Sequence, residues 1–289
     1  MPDARLLAGA AALFGLGAAG FGMPAPLPTR SQAIETLEYD PPDPAWPDLL
    51  HKWINTAFRG LVPRASTAEF VGSGRLRLGR SPWLPVQFRT AHVLGEEFVA
   101  ELSATWFGRP VLRAMDAYVM GRGISQVRGH VTTGPGLDIA AVPYLWSEAM
   151  LVPAVWGRPE VRWTQTADDS LTLEVAPGGR AAAPLIASVA ADPDTGLPSS
   201  FSVEWRPKDP EGTEGAGWQV SYSQWRDTPM GWAPGLEEVT WADEGSPWLR
   251  IRPEAPSLQV DIAERLGSAR GLLRSGPEPS ERGAEERIS

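Results

Sequence analysis

The sequence of 289 residues contains no cysteine. This absence excludes disulfide bonds, zinc sites with thiolate ligands, iron–sulfur clusters and thiol nucleophiles. It also excludes the lipidated N-terminal cysteine of a bacterial lipoprotein. It does not indicate the compartment in which the protein works.

Catalytic motifs are scarce as well. The chain has only three histidines, His51, His92 and His130, and they form none of the histidine pairs of metalloprotease motifs. The glycine-flanked serine of the α/β-hydrolases and the phosphate-binding loop of nucleotide hydrolases are also absent. We therefore predict a protein that binds rather than catalyses, with no cofactor and no metal.

Clustered positive charge is a further feature that the chain lacks. Its formal net charge is −9 at neutral pH, and no group of Lys and Arg residues stands apart from the acidic background. Binding of DNA or RNA depends on such groups to neutralise phosphates. A nucleic acid is therefore not an expected partner.

One apolar segment lies near the start of the chain, where Leu6 to Met23 are eighteen consecutive uncharged residues. As an α-helix this segment would measure about 27 Å, slightly less than the roughly 30 Å of a bilayer core. Residues 1–24 are therefore predicted to be a cleaved signal peptide or an uncleaved membrane anchor. A buried core helix is the less favoured alternative, because the segment has no polar face. The expected location is the bacterial cell envelope.

Three further regions follow from composition and periodicity. Residues 25–46 are rich in proline and predict an extended linker. Residues 47–262 predict one folded domain, which begins with an amphipathic helix from Asp48 to Phe58. Residues 263–289 are rich in Glu and Arg and predict a disordered tail.

Within the domain, apolar residues recur at every second position, which is typical of half-buried strands. A second helix is predicted from Asp138 to Met150, ending before Pro153. The predicted fold class is mainly β (α+β), a curved antiparallel sheet or half-barrel with a few helices packed on its concave face. The clearest alternating sets are Leu84/Val86/Phe88, Phe98/Ala100/Leu102/Ala104/Trp106, Leu171/Leu173/Val175, Phe201/Val203/Trp205, Trp218/Val220/Tyr222 and Val239/Trp241.

The strand from Val111 to Met120 differs from the others because both of its faces are largely apolar. This pattern predicts a central strand that is covered on both sides. Asp116 lies on this strand and would need partners, because a buried carboxylate without them is costly. The candidate partners by proximity are Arg113, Arg122, Arg128 and His130.

Two short segments resemble motifs of a known family. The stretch from Asp116 to Gly123 resembles a D-x-Y-x-x-G-x-G element, and Ser147 to Trp156 resembles A-E-x-x-x-x-P-x-x-L, with Ser147 where an Ala is typical. Together they resemble the DUF6544 (also DUF6920) proteins of bacteria, over approximately Trp46 to Ile262. The resemblance implies a curved antiparallel sheet similar to that of the lipoprotein-carrier and lipoprotein-insertion proteins (LolA/LolB-like) of the bacterial envelope. It implies no established activity.

The predicted ligand is a lipid or another hydrophobic small molecule, held between the curved sheet and the helix from Asp138 to Met150. An apolar interior lined by aromatic residues would suit such a molecule. The simpler alternative is that the tryptophans fill an ordinary core. The residues predicted to bind the ligand are Trp106, Asp116, Tyr118, Tyr144, Glu148, Trp163 and Trp205.

Two other functions stay open at this point. Asp116 and Glu148 could act as the acid and base of a hydrolase if both reached one cleft. The structural alternative, that these two residues fix the helix to the sheet, is the stronger one. The chain could also be an envelope assembly or scaffold protein that uses an exposed strand edge.

Overall fold

A computed structural model of the protein describes residues 36–77, 82–106, 109–127, 129–178, 184–203, 217–241 and 245–275. The predicted leader, residues 1–24, and residues 25–35 of the predicted linker lie outside these ranges. Among the residues that are described, no helix is long and apolar enough to cross a membrane.

Most of the described chain forms antiparallel strands. They are β1 Glu38–Asp40, β2 Val62–Arg64, β3 Thr67–Leu76, β4 Leu84–Val93, β5 Glu97–Trp106, β6 Arg109–Val119, β7 Arg122–Val127, β8 His130–Thr133, β9 Val161–Ala167, β10 Ser170–Val175, β11 Leu185–Ala191, β12 Pro198–Val203, β13 Trp218–Ser223, β14 Arg226–Thr228, β15 Gly231–Ala233, β16 Leu236–Trp241, β17 Leu249–Pro253 and β18 Ser257–Leu258.

One curved sheet contains fourteen of these strands, which confirms the predicted fold class. Its order is β8-β7-β6-β5-β4-β3-β17-β16-β13-β12-β11-β10-β9, and β18 also pairs with β3. The other four strands form two separate pairs, β1 with β2 and β14 with β15.

The predicted alternation places one face of the sheet against the main core. Phe98, Ala100, Leu102 and Ala104 of β5 are all buried, as are Leu171, Leu173 and Val175 of β10. We call this the inner face. Helices α1 (Asp48–Phe58) and α2 (Pro135–Ala149) cover it.

Both of these helices were predicted from the sequence. The bounds of α1 are the predicted ones, because Leu49, Leu50, Trp53 and Ile54 recur at helical spacing and are buried. Helix α2 begins at Pro135, three residues earlier than predicted. Proline suits the first helical position, where its missing N–H is not needed.

Strand β6 lies between β5 and β7, and both of its faces are covered as predicted. Asp116 and Tyr118 belong to the inner face, whereas Ala117 and Val119 are buried on the outer face. A third helix, α3 (Ala263–Ser275), packs on this outer face.

Helix α3 corrects the prediction of a disordered tail for residues 263–275. Leu266 and Ala269 are buried against Val260 and Ile262, and ion pairs join Arg265 to Glu69 and Arg270 to Glu97. A few apolar residues at helical spacing are enough here, because the sheet supplies an apolar surface for them. Residues 276–289 lie outside the described ranges.

The linker prediction is wrong for residues 36–46. Strand β1 pairs with β2, and the Arg64 guanidinium donates hydrogen bonds to Asp40 at 2.6 Å and Glu38 at 2.8 Å. The Trp46 ring meets the Trp156 ring edge to face, with centroids 5.7 Å apart. Aromatic burial therefore outweighs the proline content of this segment.

Candidate functional site

Glu148 of α2 is the centre of a buried polar cluster. Its Oε2 atom accepts a hydrogen bond from Thr90 Oγ1 at 2.6 Å and lies 2.6 Å from His92 Nε2. Its Oε1 atom accepts a hydrogen bond from the Tyr144 hydroxyl at 3.2 Å. Because Thr90 and His92 belong to β4, this carboxyl fixes α2 to the sheet. The structural role predicted for Glu148 is confirmed, with partners that were not expected.

The cluster continues toward β13 through Ser147 and Tyr222. Ser147 Oγ donates a hydrogen bond to the Tyr144 carbonyl oxygen at 2.9 Å, and the Tyr222 hydroxyl donates one to the Ser147 carbonyl oxygen at 2.8 Å. Burial raises the pKa of both the Tyr144 and Tyr222 hydroxyls well above the usual tyrosine range, and the charge of Glu148 adds to this rise. Both hydroxyls are therefore hydrogen-bond donors at neutral pH.

Asp116 is 3% exposed and faces the same interior. Burial raises its pKa well above the ordinary value, and the nearby Ser125 hydroxyl counteracts the rise only in part. Neither carboxyl oxygen makes a hydrogen bond of regular geometry with the part of the protein that is described.

The arginines expected to pair with Asp116 lie elsewhere. Arg122 pairs with Asp138 at 3.2 Å, and Arg113 lies 4.0 Å from Glu101. His130 is exposed at the edge strand β8, and Arg128 is outside the described residues. The predictions of Arg113 and Arg122 were wrong because successive residues of a strand alternate between its two faces, and both arginines are in the register of the face opposite to Asp116.

Glu237 is a second carboxyl with an unusual environment. It lies on the inner face of β16 opposite Tyr222, and it is 5% exposed. Burial raises its pKa to about 8, and the charge of Glu148 adds to this rise. No hydrogen bond or ion pair reaches this carboxyl from the residues that the structure describes. At neutral pH it is therefore mainly protonated, and none of the described residues accepts a hydrogen bond from it.

A narrow cleft connects Glu237 with the surface at the β14–β15 hairpin. Its volume is about 20 Å³, which corresponds to about one water molecule. We call it the hairpin cleft. Besides Glu237 it is lined mainly by apolar residues from the end of α1, the segment after α2, the hairpin and the chain around β18, including Phe58, Phe70, Leu151, Val152, Trp225, Met230, Trp232, Pro253, Pro256 and Leu258.

The structure brings some of the predicted ligand residues together and leaves others apart. Tyr144 and Glu148 are hydrogen-bonded, and the Asp116 carboxyl contributes to the raised pKa of Tyr144. Tyr118 is buried on the same face, two positions along β6 from Asp116. Trp163 packs elsewhere, against Trp156 with ring centroids 5.8 Å apart. The Trp106 side chain and all of Trp205 lie outside the described part of the protein.

The expected site between the sheet and α2 is occupied by the polar cluster around Glu148. Asp116 and Glu148 are 3% and 4% exposed, so neither carboxyl opens onto solvent as a hydrolase pair would require. In the described ranges, no three acidic or histidine side chains are grouped so as to hold a metal ion.

Four residues of this region were not predicted as site residues. For three of them the alternation along the strand was a sufficient signal. Thr90 and His92 continue the alternation of Val86 and Phe88 along β4, and Glu237 precedes Val239 by two positions on β16. A polar residue in an inward register is a candidate for a buried site. The fourth, Tyr222, was recognised as an inward residue, but its hydrogen bond to α2 depends on the tertiary fold.

Comparison with known protein families assigns residues 40–251 to a family described as a family of unknown function, DUF6544. The chain belongs to this family. The resemblance of the two short motifs is thereby confirmed. The match covers most of residues 47–262, the predicted folded domain. No curated protein matches the chain.

Three solved structures are similar to this DUF6544 protein at low identity. A putative outer membrane lipoprotein-sorting protein domain from Vibrio parahaemolyticus is 8% identical, with a TM-score of 0.40 over 72% of this chain and 91% of that one. The LolA superfamily protein NE2245 from Nitrosomonas europaea is 8% identical, with a TM-score of 0.43 over 75% and 94%. A DUF1329 family protein from Desulfovibrio piger is 11% identical, with a TM-score of 0.41 over 69% and 88%.

Proposed function

We propose that this DUF6544 protein binds a lipid or another hydrophobic small molecule in the hairpin cleft and works in the bacterial cell envelope. The observation that carries the proposal is the cleft itself, an apolar passage from the surface to the buried Glu237. An apolar pocket with one or a few polar groups is the usual form of a site for such ligands. The apolar segment at residues 6–23 supports the envelope location.

A ligand with an acyl chain needs more room than about 20 Å³, so the cleft must widen. The β14–β15 hairpin is suited to move, because its two strands pair only with each other and not with the large sheet. Outward movement of the hairpin would exchange its contact with the end of α1, where Gly231 packs against Ala57 and Phe58, for contacts with the ligand. The large sheet and α2 would stay in place.

The predicted residues Asp116, Tyr144 and Glu148 remain part of this proposal as the polar wall beyond Glu237. Glu148 is close enough to raise the pKa of Glu237 by its charge, so the two groups belong to one interior region. The apolar part of the ligand would lie in the cleft, between this wall and the surface. This places the proposed site beside α2 rather than beneath it.

Native mass spectrometry on the full chain, purified without detergent from a bacterial host, tests the proposal. We expect a co-purifying lipid at a ratio near one per protein. Trp232→Ala at the mouth of the cleft should lose most of this lipid, whereas Ile186→Ala, which removes an exposed apolar side chain from the other face of β11, should retain it. A wild-type mass without ligand, unchanged after incubation with host lipids, would refute the proposal and favour an assembly role.

A further inference from the structure

We infer that the ligand in the hairpin cleft presents an uncharged hydrogen-bond acceptor, such as an ester or amide carbonyl, to the Glu237 carboxyl. The inference rests on the proposed function, because it requires a ligand in this cleft. It adds the chemical class of the polar group that the cleft accepts, and it assigns the recognition of that group to one residue.

The first support is the position of Glu237. Its side chain is 5% exposed, and it is the buried acid in a lining that is otherwise mainly apolar. Buried polar groups in proteins normally have hydrogen-bond partners. Among the described residues no donor or acceptor meets this carboxyl, so its bonding capacity is available to a molecule that enters the cleft.

The second support is the charge around Glu237. From the interior it faces the Glu148 carboxyl, whose charge raises the pKa of Glu237. It also faces the hydroxyls of Tyr144 and Tyr222, and the charge of Glu237 raises the pKa of both. Glu148 is already held by Thr90, His92 and Tyr144 and is not available to a ligand.

On the cleft side, the described residues give Glu237 no positive partner either. Glu254 lines the cleft, and the Arg226 guanidinium of the hairpin binds the Pro253 carbonyl oxygen. An ionised Glu237 would therefore lie in an apolar wall close to a second negative charge. Burial and the negative charge of Glu148 raise the pKa of Glu237 to about 8, which keeps the group mainly neutral at pH 7.

These facts favour an uncharged acceptor over a cation. A neutral carboxylic acid donates one hydrogen bond, which an ester or amide carbonyl accepts without any change of protonation. A cationic ligand would require ionisation of Glu237 and removal of two charges from water. The described lining next to Glu237 is apolar, and its other acid, Glu254, is exposed at the surface and would leave a cation beside Glu237 largely uncompensated.

The test compares a short-chain diacylglycerol with a long-chain alkylamine as probes of the full-length protein, with binding followed by tryptophan fluorescence at pH 7 and pH 9. The wild type should bind the diacylglycerol about tenfold more weakly at pH 9 than at pH 7, because about a tenth of Glu237 is still protonated there. Glu237→Gln keeps a donor and cannot ionise, so its affinity should match the wild type at pH 7 and stay constant. Glu237→Leu should bind at least about tenfold more weakly at pH 7.

Three results would overturn the inference in distinguishable ways. Tighter binding of the alkylamine, rising with pH and lost in Glu237→Gln, would establish a cationic ligand. Diacylglycerol binding that is independent of pH and unchanged in both variants would leave the proposed function intact and remove the role of Glu237. Failure of the wild type to bind either probe at either pH would refute the proposed function together with the inference.

Discussion

Replacing Glu237 with Gln should remove a large part of the dependence of stability on pH. The pKa of Glu237 in the folded protein is about 8, whereas its ordinary value is 4.5. Between these two values the folded state holds a proton that the unfolded state has released. The free energy of unfolding therefore falls as pH rises through this interval and changes little above pH 8.

The size of this effect follows from the same values. Each pKa unit corresponds to about 1.4 kcal/mol, so the rise from 4.5 to about 8 corresponds to about 5 kcal/mol over the whole titration. About 4 kcal/mol of this should fall between pH 5 and pH 9. Solvent screening reduces the value little, because the side chain is 5% exposed.

Urea unfolding followed by tryptophan fluorescence measures the prediction in the wild type and in Glu237→Gln across pH 5 to 9. The difference between the two free energies of unfolding isolates Glu237, because Asp116 and the other titrating groups are present in both proteins. Glu238→Gln removes a carboxyl from the opposite face of the same strand and serves as the control. A wild-type minus Glu237→Gln difference that stays constant within about 1 kcal/mol over this range would refute the reasoning.

Two other predictions concern the attachment of α2 to the sheet. Gly123→Ala should destabilise the protein by about 1–3 kcal/mol in thermal unfolding, because the added Cβ would lie 2.4 Å from the Leu137 carbonyl group. The control Gly136→Ala, where nothing lies within 4 Å of the added Cβ, should be neutral or slightly stabilising. Equal effects of the two substitutions would contradict the close approach at Gly123. Glu148→Gln should lower the free energy of urea unfolding by about 3 kcal/mol, because three polar partners lose the carboxylate they share. A loss below about 1 kcal/mol would mean that these contacts contribute little.

The strands were predictable because the pleat gives a direct sequence signal. Phe98, Ala100 and Leu102 point into the core at every second position, and no knowledge of their partners is needed to recognise this. Helix α1 is similar, since Trp53 and Ile54 belong to one apolar stripe within a single short segment. Local periodicity therefore accounts for the fold class and for the bounds of α1.

The predictions for residues 263–275 of the tail and 36–46 of the linker were wrong for a different reason. Composition averages over a segment, whereas the burial of Leu266 depends on an outer sheet surface made by distant residues such as Ala117 and Val119. The same holds for Trp46, whose contact is the ring of Trp156. Averages do not reveal that one or two side chains have a matching surface elsewhere in the fold.

The candidate site was only partly predictable. Glu148 and Tyr144 were chosen as ligand residues, but the His92 contact joins residues 56 positions apart and depends on how α2 crosses the sheet. Glu237 belongs to a strand that was recognised only by Val239 and Trp241. The hairpin cleft has no counterpart in the sequence, since it is formed by five segments that meet only in the folded chain.

The pairing of β3 with β17 has a consequence for how the chain folds. Strands β3 to β8 form one meander, and β9 to β13 together with β16 form another. Strand β17 joins the two, and its Leu249 pairs with Leu76 of β3. During synthesis, β3 remains an unpaired edge until nearly the whole domain has been made, and closing so long a loop is slow. We expect the amides of β3 that face β17 to gain hydrogen-exchange protection last in refolding, and early protection there would contradict this order.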